Sequence, residues 1–106
     1  MVGIATIYPE APPLDLQGVI PETAYRDGAA FRLRGMATRP DQQRRGIGRR
    51  LMEGTFSHAL DAGASYYWCN ARVGAQQFYE SMRLEAVGDI FDLGPAGPHY
   101  VMWRRL

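Results

Sequence analysis

The chain has 106 residues and a mass of 11.9 kDa, room for one domain and too little for two of ordinary size. Hydrophobic residues make up 46% and charged residues 22%, which excludes a disordered tail or a collagen-like repeat. Twelve basic against eleven acidic residues leave a net charge of +1, so no whole-molecule field draws the protein to nucleic acid or anionic lipid.

Val2-Gly-Ile-Ala-Thr-Ile-Tyr8 has strand composition and opens the chain abruptly. Residues 9–29 carry Pro9, Pro12, Pro13, Pro21, Gly18 and Gly28 without a lasting period, which predicts a long loop of the kind that borders binding sites. Ala30 to Thr38 alternates apolar and polar as a half-buried strand does, with Gly35 marking a bulge or a close approach to the backbone. After Pro40, a glycine turn at Gly46 and Gly48 leads into a helix whose apolar face is Ile47, Leu51, Met52, Phe56, Ala59 and Leu60, ending at Gly63. Ser65-Tyr-Tyr-Trp-Cys69 is an aromatic strand. Asn70 then suits the N-cap of a helix with Ala75, Phe78, Tyr79 and Met82 on one stripe. Leu84 to Leu93 and Tyr100 to Leu106 close the chain as two strands joined by Gly94-Pro-Ala-Gly-Pro-His99. The order is β-(long loop)-β-α-β-α-β-β, with no repeat and no linker, so residues 1–106 form one domain.

Charge is concentrated around the glycine turn. Residues 32–50 hold seven arginines against Asp41 alone, a local excess of +6 that leaves −5 on the rest. A helix N-terminus exposes unpaired amides and roughly half a positive charge, so a glycine turn running into one can cradle phosphate. The chain has no lysine, which excludes a Walker loop, and Leu51 occupies the third glycine position of the dinucleotide fingerprint. A single cysteine, Cys69, excludes an internal disulfide and a multi-cysteine zinc site, and fits a reducing cytoplasm. No apolar run has membrane-span length, and a signal peptide's basic start is missing.

Gln43-Arg-Arg-Gly-Ile-Gly48 follows a strand ending Met36-Ala-Thr38 and precedes an amphipathic helix. Downstream come Tyr67-Trp-Cys-Asn70, then Ala75-Gln-Gln-Phe-Tyr79, then two terminal strands. In these motifs and their order the sequence resembles the GNAT superfamily of N-acetyltransferases, from Val2 to the C-terminus. Gly97-Pro-His-Tyr-Val-Met102 is similar to a subgroup of bacterial members. The resemblance implies an α/β fold with a GNAT-like mixed sheet flanked by helices, lacking the family's usual N-terminal strand and helices. It therefore implies a partial acetyltransferase domain, truncated at its start.

The resemblance further implies acetyl-CoA as co-substrate without a metal, and direct transfer of the acetyl group to a primary amine on a small molecule or peptide. Met36, Ala37 and Thr38 would pair with the pantetheine arm. Amides and side chains of Arg44, Arg45, Gly46, Ile47, Gly48 and Arg49 would hold the pyrophosphate, and Asn70 would contact the cofactor arm. Tyr79 would face the sulfur as the catalytic residue. An alkyl amine is free base in fewer than about one molecule in a thousand at neutral pH, so a general base would help. Residues 30–38 lack the carboxylate many relatives place there, which leaves Glu10, Glu85, Asp89 and His99 as candidates. Nucleic-acid binding is disfavoured by the balanced charge. A non-catalytic acyl-CoA-binding module remains an alternative, and open sheet edges favour a homodimer.

Overall fold

The computed structural model describes residues 3–38 and 46–106. Five strands form one open sheet in the order β1-β2-β3-β5-β4. They are β1 (Gly3–Pro9), β2 (Ala30–Thr38), β3 (Tyr66–Arg72), β4 (Glu85–Asp92) and β5 (Pro98–Arg105). Helix α1 (Ile47–Asp61) makes the crossover between the parallel pair β2 and β3, and α2 (Gln76–Ser81) follows β3. All other pairs are antiparallel. The mixed α/β architecture read from the sequence is therefore correct. Among the described residues no helix is long and apolar enough to cross a membrane.

Strand alternation divides the core between the two faces of the sheet. On one face Tyr67, Cys69 and Ala71 of β3 pack with Met52 and Phe56 of α1 and with Met82. On the other, Tyr66 and Trp68 pack with Leu16, Ile20 and Ala24, which belong to the stretch between β1 and β2. That stretch lacks a lasting period, as expected of a loop, yet it builds a core layer. Two short 3-10 turns, Leu14–Leu16 and Glu22–Tyr25, direct its apolar side chains inward. The Tyr25 hydroxyl donates to the Pro13 carbonyl at 2.7 Å, and Thr23 is hydrogen-bonded to Tyr66, so the layer is fixed by polar contacts too.

Several local expectations shift. The buried face of α1 is Met52, Thr55, Phe56 and Ala59, whereas Leu60 is 51% exposed. Burying Thr55 is feasible because its hydroxyl donates to Met52 O at 2.7 Å and accepts from Tyr67 at 2.8 Å. Asn70 does not cap a helix: β3 continues through it to Arg72, because Asn70, Ala71 and Arg72 all pair with β5. Ala75 ends a separate 3-10 turn, and α2 starts after it. His99 is a buried residue of β5, not of the preceding turn.

Two bulges shape the end of the sheet where the C-terminus of β3 lies. In β2, Thr6 pairs with Gly35 while Ile7 pairs with Leu33, which leaves Arg34 as an extra residue beside the predicted bulge glycine. In β4, Val87 faces Val101 while Phe91 faces His99, so the strand read from the sequence over Leu84 to Leu93 is interrupted by Gly88, Asp89 and Ile90. Gly88 has φ 76°, and a Cβ there would stand 3.0 Å from Leu16 Cδ2. Only glycine lets the bulge close onto the loop layer without strain.

Candidate active site

The β2–β3 ladder runs from Ala30↔Tyr66 to Leu33↔Cys69 and ends there. Beyond it β2 stays paired with β1, and Asn70 to Arg72 stay paired with β5. The strands fork, so among the described residues the main chain of Met36, Ala37 and Thr38 has no strand partner on its β3 side. Such groups need an extended polar ligand or water.

The first turns of helix α1 reach this end of the sheet, Arg50 and Leu51 lining a cleft with Ala5 and Thr6, which pair with Met36 and Gly35. Gly46 is its N-cap at φ 75°, the left-handed region in which an L side chain is costly, and the Gly46 carbonyl accepts from Arg50 N at 3.1 Å. Among the described residues no side chain caps this end, and helix geometry leaves the amides of Ile47, Gly48 and Arg49 without an intrahelical acceptor. Together with the helix dipole they favour an anion. The predicted contacts at Arg44 and Arg45 lie outside the described residues.

Asn70 is the first β3 residue past the last ladder pair. Its Oδ1 is buried with no hydrogen-bond partner among the described residues, an acceptor that asks for a donor. Tyr79 lies on the helix face instead. Burial pushes its hydroxyl up to about 12, the neighbouring Cys69 adding to the shift, so Tyr79 is protonated and able to donate at neutral pH. Burial likewise pushes the Cys69 thiol up to about 12, opposed by the charge of Arg32, which makes it a packing group and a poor nucleophile. The sequence-predicted site residues thus divide between β3's two faces, Asn70 on the loop side and Tyr79 on the helix side.

Strand register sorts the candidate bases. Glu10 donates its amide to Ala30 O, roughly 10 Å of strand below the fork, and its carboxylate is paired with Arg32 at 2.8 Å. Glu85 pairs with Trp103, which faces Trp68, so it stands on the β4 edge one row below the last ladder pair. His99 faces Arg72 at the fork end, and Asp89 projects from the adjacent bulge. His99 Nδ1 lies 2.8 Å from Gly97 O and donates to it, so Nε2 is the ring nitrogen not engaged by that carbonyl.

A cavity of about 540 Å³ adjoins the fork on the loop face, lined by Asp15, Leu16, Asn70, Val87 and Phe91 among others. No expectation from the sequence pointed to it. Its available signal was Gly88 inside an otherwise strand-like run, the usual mark of a bulge.

Residues 14–82 match the family model described as an acetyltransferase (GNAT) domain. The chain belongs to the GNAT acetyltransferase family. It is 28% identical over its whole length to the uncharacterized N-acetyltransferase YitI of Bacillus subtilis, and spans 64% of that relative. Among solved structures it resembles Naa20 of Chaetomium thermophilum in complex with a bisubstrate analogue (TM-score 0.74, 20% identity, covering 99% of this chain and 60% of that one). It also resembles the NatC complex bound to Gag peptide and CoA (TM-score 0.76, 14% identity, covering 99% and 61%). At these identities the solved structures bear on the GNAT fold alone.

Proposed function

We propose that this chain carries the donor site and catalytic centre of an acetyl-CoA-dependent N-acetyltransferase that moves the acetyl group directly to a primary amine. The carrying observation is the fork beginning after Leu33↔Cys69, set beside the uncapped N-terminus of α1. Free strand groups, free helix amides and the orphaned Asn70 Oδ1 suit a long ligand with amides at one end and a diphosphate at the other. Bound there, acetyl-CoA supplies an activated acyl thioester.

In this reading the main chain of Met36, Ala37 and Thr38 pairs with the pantetheine amides, and Asn70 Oδ1 accepts from the same arm. The amides of Gly46 to Arg49 hold the diphosphate, with Arg44, Arg45 and Arg49 adding charge. The amine nitrogen attacks the thioester carbonyl; the C–N bond forms, the C–S bond breaks, and the amine proton passes to a base or to water. Asp89 and His99 are the candidates on the correct end of the sheet. Tyr79 donates a hydrogen bond to the departing sulfur. With its hydroxyl at about 12 and a thiol near 8.5, complete proton transfer would be uphill by about 5 kcal/mol, so Tyr79 stabilises the thiolate and keeps its proton.

Calorimetric titration with coenzyme A and acetyl-CoA tests donor binding, and thiol release over a panel of amines tests transfer. Saturable uptake with amine-dependent thiol release is the expected result. Uptake without release on any amine would leave an acyl-CoA-binding module. No uptake by folded protein would overturn the proposal.

A further inference from the structure

The cavity on the loop face is built rather than incidental. Leu16, on the 3-10 turn that follows the Tyr25-anchored Pro13, forms one wall. The bulge after Val87 forms the opposite wall, brought against Leu16 by the missing side chain of Gly88. Asn70 lies at the boundary with the fork, and Val87 and Phe91 make the interior apolar. The lining includes two carboxylates, Asp15 and Asp89, and among the described residues no basic side chain. Each stands on a different wall, and each is exposed.

From this arrangement we infer that the cavity is the acceptor pocket and that it selects an amine carrying a second cationic group beyond a short apolar spacer. The inference rests on the acetyl-CoA reading for the direction of attack, but its recognition chemistry belongs to the cavity alone. An amine must be neutral to attack a thioester, whereas a carboxylate favours the protonated form. Two carboxylates beside the apolar interior therefore suit a cation that does not react, with the reacting end directed past Asn70 to the fork; Asp89 is then engaged by that cation, and His99 is the base candidate left. A monoamine lacks the group they would hold, and an amino acid presents a carboxylate where they would repel it.

The test is calorimetric binding of 1,5-diaminopentane, 1-aminopentane and 6-aminohexanoate. Exposed ion pairs are weak, so a diamine preference of about fivefold over the monoamine is expected, falling with added salt. The aminohexanoate should bind weakest. The double variant Asp15→Asn, Asp89→Asn, its fold checked by circular dichroism, should erase the diamine preference. Equal binding of the two amines, no binding of either, or a preference that survives the double variant would each overturn the inference. Coenzyme A titration of the same sample reports on the fork separately. Uptake of coenzyme A with indifferent amine binding removes the acceptor assignment alone, whereas diamine selectivity without coenzyme A uptake removes the donor reading alone.

Discussion

Arg83 has φ 72°, a conformation that glycine adopts freely and an arginine only at a cost. Its position explains why the cost is accepted. Arg83 N donates to Glu80 O at 2.9 Å and Leu84 N to Tyr79 O at 3.0 Å, the paired bonds of a Schellman end. These bonds stop α2 while Leu84 enters the core at 2% exposure. The sequence made the cost visible, because arginine stands where a glycine would be easy, but it did not reveal that the left-handed end forms regardless. Arg83 also lowers the pKa of Arg104, which burial depresses first. Replacing Arg83→Gly should therefore raise unfolding free energy by about 0.5–1 kcal/mol, measured by urea denaturation. Tyr79, at the start of the same cap, has a different test. On the proposed mechanism, Tyr79→Phe deletes one hydrogen bond to a developing thiolate, so kcat should fall roughly 10- to 100-fold while the KM for acetyl-CoA stays near its starting value.

At the scale of elements, the proposed donor site is concentrated at the beginning of α1, in a turn that holds Gly46 at φ 75°. A Cβ there would meet nothing within 4 Å, so Gly46→Ala tests backbone conformation without a steric clash. The expected loss is about 1 kcal/mol in thermal stability, or about fivefold in coenzyme A affinity if the free turn relaxes. This turn was legible because glycine spacing and helix entry are local properties. The fork was only partly legible: Gly35 pointed to a bulge, but where pairing ends is set by β3 and β5, far away in sequence. Asn70 shows why local preference can mislead. Its capping propensity was real, but a ladder bond to β5 on one side and the fork on the other kept the chain extended. Leu60 fits an apolar helical stripe yet projects outward, because the sheet contacts a narrower face centred on Met52, Thr55, Phe56 and Ala59.

Across the whole molecule, buried acids with raised pKa values concentrate beside β3. Cys69 and Tyr79 are each held near 12 in the fold, and Tyr67 is raised further by burial despite its hydrogen bond to Thr55. The ordinary values are near 9 for the thiol and 10 for the phenols. Between these and the folded values the unfolded chain has released protons that the folded chain retains, so stability falls as pH rises. Their contribution is fully present below about pH 8.5, declines from about pH 9, and should be reduced by a few kcal/mol at about pH 11. Urea midpoints measured from neutral to alkaline pH check the sign, and a rise across that interval would contradict it. The partition of chemistry between sheet faces was the least legible feature, since it depends on the loop layer, both bulges and the strand order together.

On the proposed reading, the divergence of β2 and β3 gives the molecule two doors, one for the donor on the α1 side of the sheet and the other beside Asn70 and the loop layer. Partners entering through separate doors can occupy the centre simultaneously, and the buried Cys69 offers no convenient place to park an acyl group between visits. Initial-rate plots at several fixed amine concentrations should consequently intersect; a parallel family of lines would require an intermediate carried by the protein itself.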